Sequence, residues 1–290
     1  MMTDIHKNTD NLQLWKKQFK RIFKKFKKRY HQSLKFKDIE DLHQTRVHLR
    51  KLLTLLKFLI QEDTKDENTV AGRFYTTLQN IEKALGEIRD LDVLLEDLQH
   101  LKEQVPVDKA LLKVIRKLRK MKRLQIGLQL PNDYNEPLML LWEDFMCLHL
   151  PGYICKLDAH ATLLKLMAKF DSRLQKYETM KEQHGEQSPE TLEALHAVRI
   201  QAKKLRYTCT YVEFALDKNY AEAARQYKKI QNWLGEINNL KVYRSEISML
   251  LNYYTYLDSE KSQALLQHLD HQILVKQEEE TLSGFTHKIQ

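Results

Sequence analysis

The stretch "LHQTRVHLRKL" begins at Leu42, and "LHAVRIQAKKLRY" begins at Leu195. Each sets a histidine, an arginine three residues on, and a second cation four residues after that: His43, Arg46 and Arg50 in the first, His196, Arg199 and Lys203 in the second. At about 100° per residue of helix, His43, Arg46, Arg50 and Lys57 fall within roughly 60° of one another, and His196, Arg199, Lys203 and Arg206 within roughly 80°. Leu49, Leu52, Leu56 and Leu59 take another side of the first helix and face a core. The chemistry such rows offer is anion binding. The planar fork of Arg donates to phosphate in pairs, and Lys adds a point charge. A row of like charges also repels itself, so something must offset it. Nearby acids are one candidate, with Glu87, Asp90, Asp92 and Glu236 in reach; a polyanion is the other. Acids suffice to explain one row. Two rows at matching positions, each beside a core face, favour a ligand.

A second pair of motifs follows the first. "LGEIRDLDV" begins at Leu85, 42 residues after His43, and "LGEINNLKV" begins at Leu234, 38 residues after His196. Two motifs in the same order at similar spacing indicate an internal duplication. Gly86 and Gly235 sit at equivalent places deep in helical pattern, where glycine weakens a helix; close approach of two helices is the expected reason.

The elements that must position these residues are helical. The chain has 290 residues, 42% of them hydrophobic and 30% charged, with only 7 Gly and 5 Pro. That composition can bury a core and favours an all-α protein. Breakers divide it into roughly four long helices per half. The first half reads 11–34, 38–61, 68–101 and 107–126. The second reads 156–183, 190–216, 219–253 and 259–280, preceded by an extra short helix at 138–150. Gly127, Pro131 and Pro137 mark a loop, "GLQLPNDYNEP", as the boundary between halves 1–130 and 131–290, and Ser188 before Pro189 reads as an N-cap. Pro151-Gly152 ends the extra helix.

The paired motifs resemble those of the CHAD family, the conserved histidine α-helical domain. "HQTRVHLRKL" and "HAVRIQAKKLRY" carry the likeness, each followed by its LGEI motif, and it covers nearly the whole chain. The resemblance implies two pseudo-symmetric four-helix bundles around a basic central channel that binds inorganic polyphosphate, and an ability to localise to polyphosphate granules. It implies ligand-facing roles for His43, Arg46, Arg50 and Lys57, and for His196, Arg199, Lys203 and Arg206. Lys51, Lys204 and Arg89 are further candidates. The second LGEI motif departs from the first, with Asn238, Asn239 and Lys241 where the first has Arg89, Asp90 and Asp92. Some members are fused to a CYTH triphosphatase domain, but no E-x-E-x-K strand motif is present here, so catalysis by that route is not expected.

Other signals fit a binding protein. The net charge of +9 suits an anionic partner. The segment 11–37 contains no acid; its aromatic residues line one helical face, and Lys20, Lys24, Lys27 and Lys28 form a secondary basic face opposite. A bundle helix explains this better than a helix lying on a membrane. "KVIRKLRKMKR", 113–123, reads as a solvated basic face or a further phosphate contact. It holds no aromatic residue for base stacking, which sets RNA binding behind bare polyphosphate as the alternative function. His268 and His271 lack the company of a metal motif, and no nucleophile or phosphate-binding loop signature is found, so no metal, cofactor or enzymatic activity is expected. The three cysteines form no C-x-x-C pair, and neither a signal peptide nor a membrane span is evident, which points to a soluble, cytoplasmic protein.

Overall fold

The structure is a computed structural model that describes residues 2–186, 188–216 and 218–279, with side chains described over 10–130, 136–186, 188–216 and 218–278. The described residues form helices joined by short connections, without strands. In chain order the helices are α1 (Met2–Ser33), α2 (Ile39–Ile60), α3 (Val70–Leu101), α4 (Lys109–Asp144), α5 (Leu150–Lys156), α6 (Ala159–His184), α7 (Pro189–Tyr211), α8 (Ala221–Tyr253) and α9 (Ser259–Glu279). The ends follow local chemistry. Asp38 caps α2 by accepting from Glu40 N at 2.9 Å. Ser188 accepts from Thr191 N at 3.2 Å with Pro189 opening α7, as its sequence predicts. Gly185 sits beyond α6 at φ +81, a left-handed conformation that glycine adopts without a Cβ clash.

One expected boundary is wrong. The loop over 127–137 and the separate helix over 138–150 are replaced by a single continuous α4. It runs into a π-helical turn, Phe145–His149, and then α5, which continues through Pro151 and Gly152. Each proline deletes one backbone hydrogen bond; the burial on either side outweighs that. Ile126, Leu130 and Leu138 are buried, and the Tyr30 hydroxyl donates to Leu130 O at 3.1 Å. Trp142 stacks on Phe23 at 3.9 Å between ring centroids. Tertiary packing of this kind overrides a local breaker.

The chain forms two compact units that interleave along the sequence. The first takes 1–93, 116–162 and 211–217; the second takes 94–115, 163–210 and 218–290. The expected halves 1–130 and 131–290 divide by repeat, whereas these units divide by contact.

In the first unit the acid-free α1 is a bundle helix. Trp15, Phe19, Ile22, Phe23, Phe26 and Tyr30 recur every three or four residues and are all buried. Phe19 meets Phe145 edge-on at 5.7 Å, and Trp15 meets Phe214 at 4.9 Å. Lys20, Lys24, Lys27 and Lys28 remain exposed on the other side. The basic segment of α4 is more than a solvated face. Arg119 and Arg123 both pair with Asp92 of α3, whose carboxylate is fully buried. Lys122 pairs with Glu87 at 2.8 Å. In the second unit Phe170 meets Tyr227 edge-on at 5.3 Å, Gln201 donates to Leu166 O at 2.7 Å, and Trp233 donates to Lys276 O at 2.9 Å.

Asp92 therefore joins α3 to α4 by charge. Replacing it with Asn keeps the shape but leaves two arginines without their anion. Asp92→Asn should destabilise the protein by about 2–3 kcal/mol in urea unfolding; a change under about 0.5 kcal/mol would mean that the pair behaves as a surface contact.

Candidate functional site

The first ladder lies on α2, which faces α3. Arg46 is buried, with 9% of its surface exposed. Its guanidinium rests over Gly86, where an added methyl group would overlap Nη1. This is the close approach expected at that glycine, made by a side chain and not by a second backbone. Glu82, one turn before Gly86, holds Arg50 Nε at 3.2 Å and lies 3.9 Å from Arg46 Nη2. Burial, followed by repulsion from Arg50, holds Arg46 below the ordinary Arg range, with Glu82 and Asp90 opposing that shift. Asp90 is raised by its partly desolvated surroundings, against the pull of Arg46, Arg50 and Arg89, although its outer edge still reaches solvent. Arg46 Nη1 is buried without a hydrogen-bond acceptor among the described residues.

Not every first-copy candidate joins this seam. His43 and Arg89 are half-buried and Lys57 is exposed. Lys51 sits about 140° around α2 from Arg46. It lies over the Tyr211 ring at 5.2 Å and is lowered by burial and by Lys25 and Arg21 of α1. His48 belongs to the same side. Burial, then Lys51, Lys25 and Arg29, push its imidazole down to about 4. The α1–α2 side is thus a second cationic cluster, separate from the ladder.

The second ladder lies on α7, which faces α8 within the second unit. His196 is exposed; Arg199, Lys203, Lys204 and Arg206 are half-buried. Arg206 donates to Gln231 Oε1 at 3.0 Å and lies over the Tyr207 ring at 5.3 Å. The side chains of His196, Arg199, Asn238 and Lys241 border a groove of about 130 Å³ walled by Leu234 and Ile237. Burial lowers both Arg199 and Lys241, and it lowers His196, with Arg199 adding to that shift and a hydrogen bond to Asn238 opposing it. Gly235 has open space where a Cβ would lie. The carboxylates shared by both LGEI motifs have parallel structural roles: Glu87 ties α3 to Lys122 of α4, and Glu236 ties α8 to Lys276 of α9 at 3.3 Å.

Sequence reasoning passed over Glu82, Gln231 and His48. Glu82 and Gln231 precede their motif glycines by four residues, so their shared position was a readable signal. His48 was identifiable only through its angle on α2.

A family model for the CHAD domain matches residues 17–248. The chain belongs to the CHAD family. A solved structure described as the crystal structure of the CHAD domain from the plant Ricinus communis superposes with a TM-score of 0.66 at 19% identity, covering 96% of this chain and 91% of that one. At that identity the likeness speaks for the fold. Comparison with curated proteins gives no match. Among the described residues of this CHAD protein, no three His, Cys, Asp or Glu side chains cluster as a metal ion would need, and no helix is long and apolar enough to cross a membrane.

The two motif glycines should respond in opposite ways to the same change. Gly235→Ala meets nothing and removes a flexible residue from mid-helix, so it should stabilise by about 0.5–1 kcal/mol. Gly86→Ala must displace the Arg46 guanidinium and should destabilise; paired thermal melts compare them directly.

His48 gives a pH test. Its folded value lies below the ordinary 6.5, so the unfolded chain binds the proton first as pH falls. The stability linked to neutral His48 is full above about 6.5 and is lost as pH drops toward 4. His48→Gln should flatten the pH dependence of unfolding in that window, and the His48 ring signals in NMR should titrate near its lower edge.

Proposed function

We propose that this CHAD protein binds inorganic polyphosphate through its Arg, Lys and His ladders, breaks no bond in it, and associates with polyphosphate granules in the cell. The observation that carries this reading is that each ladder lies beside the motif helix that follows it, and that in the second copy Arg199 is partly desolvated with no acceptor for its Nε among the described residues. Taking a cation out of water is unfavourable unless an anion answers it. A chain of phosphates answers many cations at once. The basic channel lined by both ladders, with two pseudo-symmetric bundles around it, is the arrangement under which one polyanion would meet both rows.

The mechanism is multivalent ion pairing and hydrogen bonding. Arg offers paired donors to non-bridging oxygens, and released counterions make the affinity fall linearly in log salt. The exposed lysines of α1 add long-range attraction, which salt screens over about 8 Å at physiological strength. Nucleic-acid binding by the same basic surfaces is the competing reading, because a phosphate backbone attracts them regardless of sequence.

Labelled long-chain polyphosphate at physiological salt, challenged with structured and single-stranded RNA at equal phosphate concentration, separates the two. Polyphosphate should bind and RNA should displace it poorly. Charge reversal of the exposed Lys117 and Lys120 on α4 should weaken binding by no more than about threefold. Equal displacement by RNA, with a large loss in that double variant, would make the ladders incidental and the cationic surface generic.

A further inference from the structure

The two copies of the site are built alike but neutralised differently. In the first unit, Arg46 fills the space over Gly86, and Glu82 holds both Arg46 and Arg50. In the second unit nothing fills the space at Gly235, and Arg199 instead borders the α7–α8 groove. Counted from the motif glycine, three acids of the first copy are exchanged: Glu82 corresponds to Gln231, Asp90 to Asn239, and Asp92 to Lys241, while Glu87 is kept as Glu236. The Gln231 oxygen is occupied by Arg206, and Glu236 is paired with Lys276.

Arg199 and Lys241 therefore have no carboxylate partner among the described residues. Burial alone accounts for the lowering of each. Arg199 Nε is a buried donor without an acceptor among those residues. The His196 imidazole and the Asn238 side chain interact and both line the groove.

We propose that the α7–α8 groove of the second unit is the dominant phosphoryl-binding site of this chain, gripping phosphate oxygens with Arg199 and Lys241 and orienting them with Asn238 and His196. The first ladder, already answered by Glu82, chiefly holds α2 to α3. The proposal takes its ligand class from the polyphosphate reading. Arg199 supplies a two-pronged donor and Lys241 a point charge from the facing helix. Leu234 and Ile237 line the groove with apolar surface, which lowers the local dielectric and strengthens both contacts. The groove, about 130 Å³ and open on one side, lets a phosphoryl chain lie against Arg199 and Lys241 while the rest of the chain stays outside.

The test is calorimetric titration of the full chain with tripolyphosphate and with long-chain polyphosphate. Arg199→Gln and Lys241→Gln should each weaken tripolyphosphate binding by about tenfold or more, the effect of losing a charge-assisted contact. Gln231→Glu, which installs the acid of the first copy with little change of volume, should weaken it by about fivefold and leave the thermal melt intact. Arg50→Gln should cost clearly less than Arg199→Gln. Equal losses for Arg50→Gln and Arg199→Gln, or no loss in Gln231→Glu, would overturn the asymmetry. If long-chain polyphosphate binds but the Arg199 and Lys241 variants retain full affinity, the groove is rejected and the polyphosphate reading stands. If the unaltered chain binds neither ligand, the polyphosphate reading itself falls, and the groove proposal falls with it.

Discussion

A guanidinium placed against an apolar core is the constraint on which much of the first unit depends. Arg46 is 9% exposed, and a cation so placed needs both room and an anion. Gly86 gives the room and Glu82 the anion. Both lie on α3, so the pairing sets how α2 meets α3. The same helix reaches the other way through Glu87 and Asp92 to Lys122, Arg119 and Arg123 of α4. One helix thus offers acids to the basic helices on two sides, and the strongly basic chain is held together by a minority of carboxylates. In the second unit α8 has a similar position with fewer charges, touching α7 through Gln231 and α9 through Glu236.

Much of this was legible before any coordinates. The hydrophobic period placed α1, α2, α3 and α6 to α9, and the Ser188 cap fell where side-chain chemistry puts it. The error at α4 has a physical cause. Pro131 and Pro137 are local signals, whereas the buried Leu130 and Leu138 and the Trp142–Phe23 stack are partners distant in sequence. The ladders and their LGEI motifs were readable because spacing and duplication are sequence properties. Their neutralisation was harder to read. The acid that pairs with Arg50 is Glu82, a turn before the motif and outside it. Lys51 adjoins the row in sequence, but its angle on α2 turns it toward α1.

The cations of this chain divide by hydration. Lys20, Lys24, Lys27 and Lys28 stand in water, where their attraction is long in range but weakened by salt. Arg199 and Lys241 are partly withdrawn from water, where attraction is short in range and strong on contact. A protein that must capture a flexible anion from dilute solution gains from both kinds. The first raises the encounter rate, and the second slows release.

The acid-to-amide exchange between the copies has an evolutionary consequence. Glu and Gln have nearly the same volume, as do Asp and Asn, and in the genetic code each pair is separated by a single base. A duplicated helical unit can therefore change the charge of one copy by two point mutations at positions such as Gln231 and Asn239 while its helices keep their packing. Selection on binding strength is in this way partly decoupled from selection on folding, and descendants of the same gene can drift in anion affinity without first acquiring a new core.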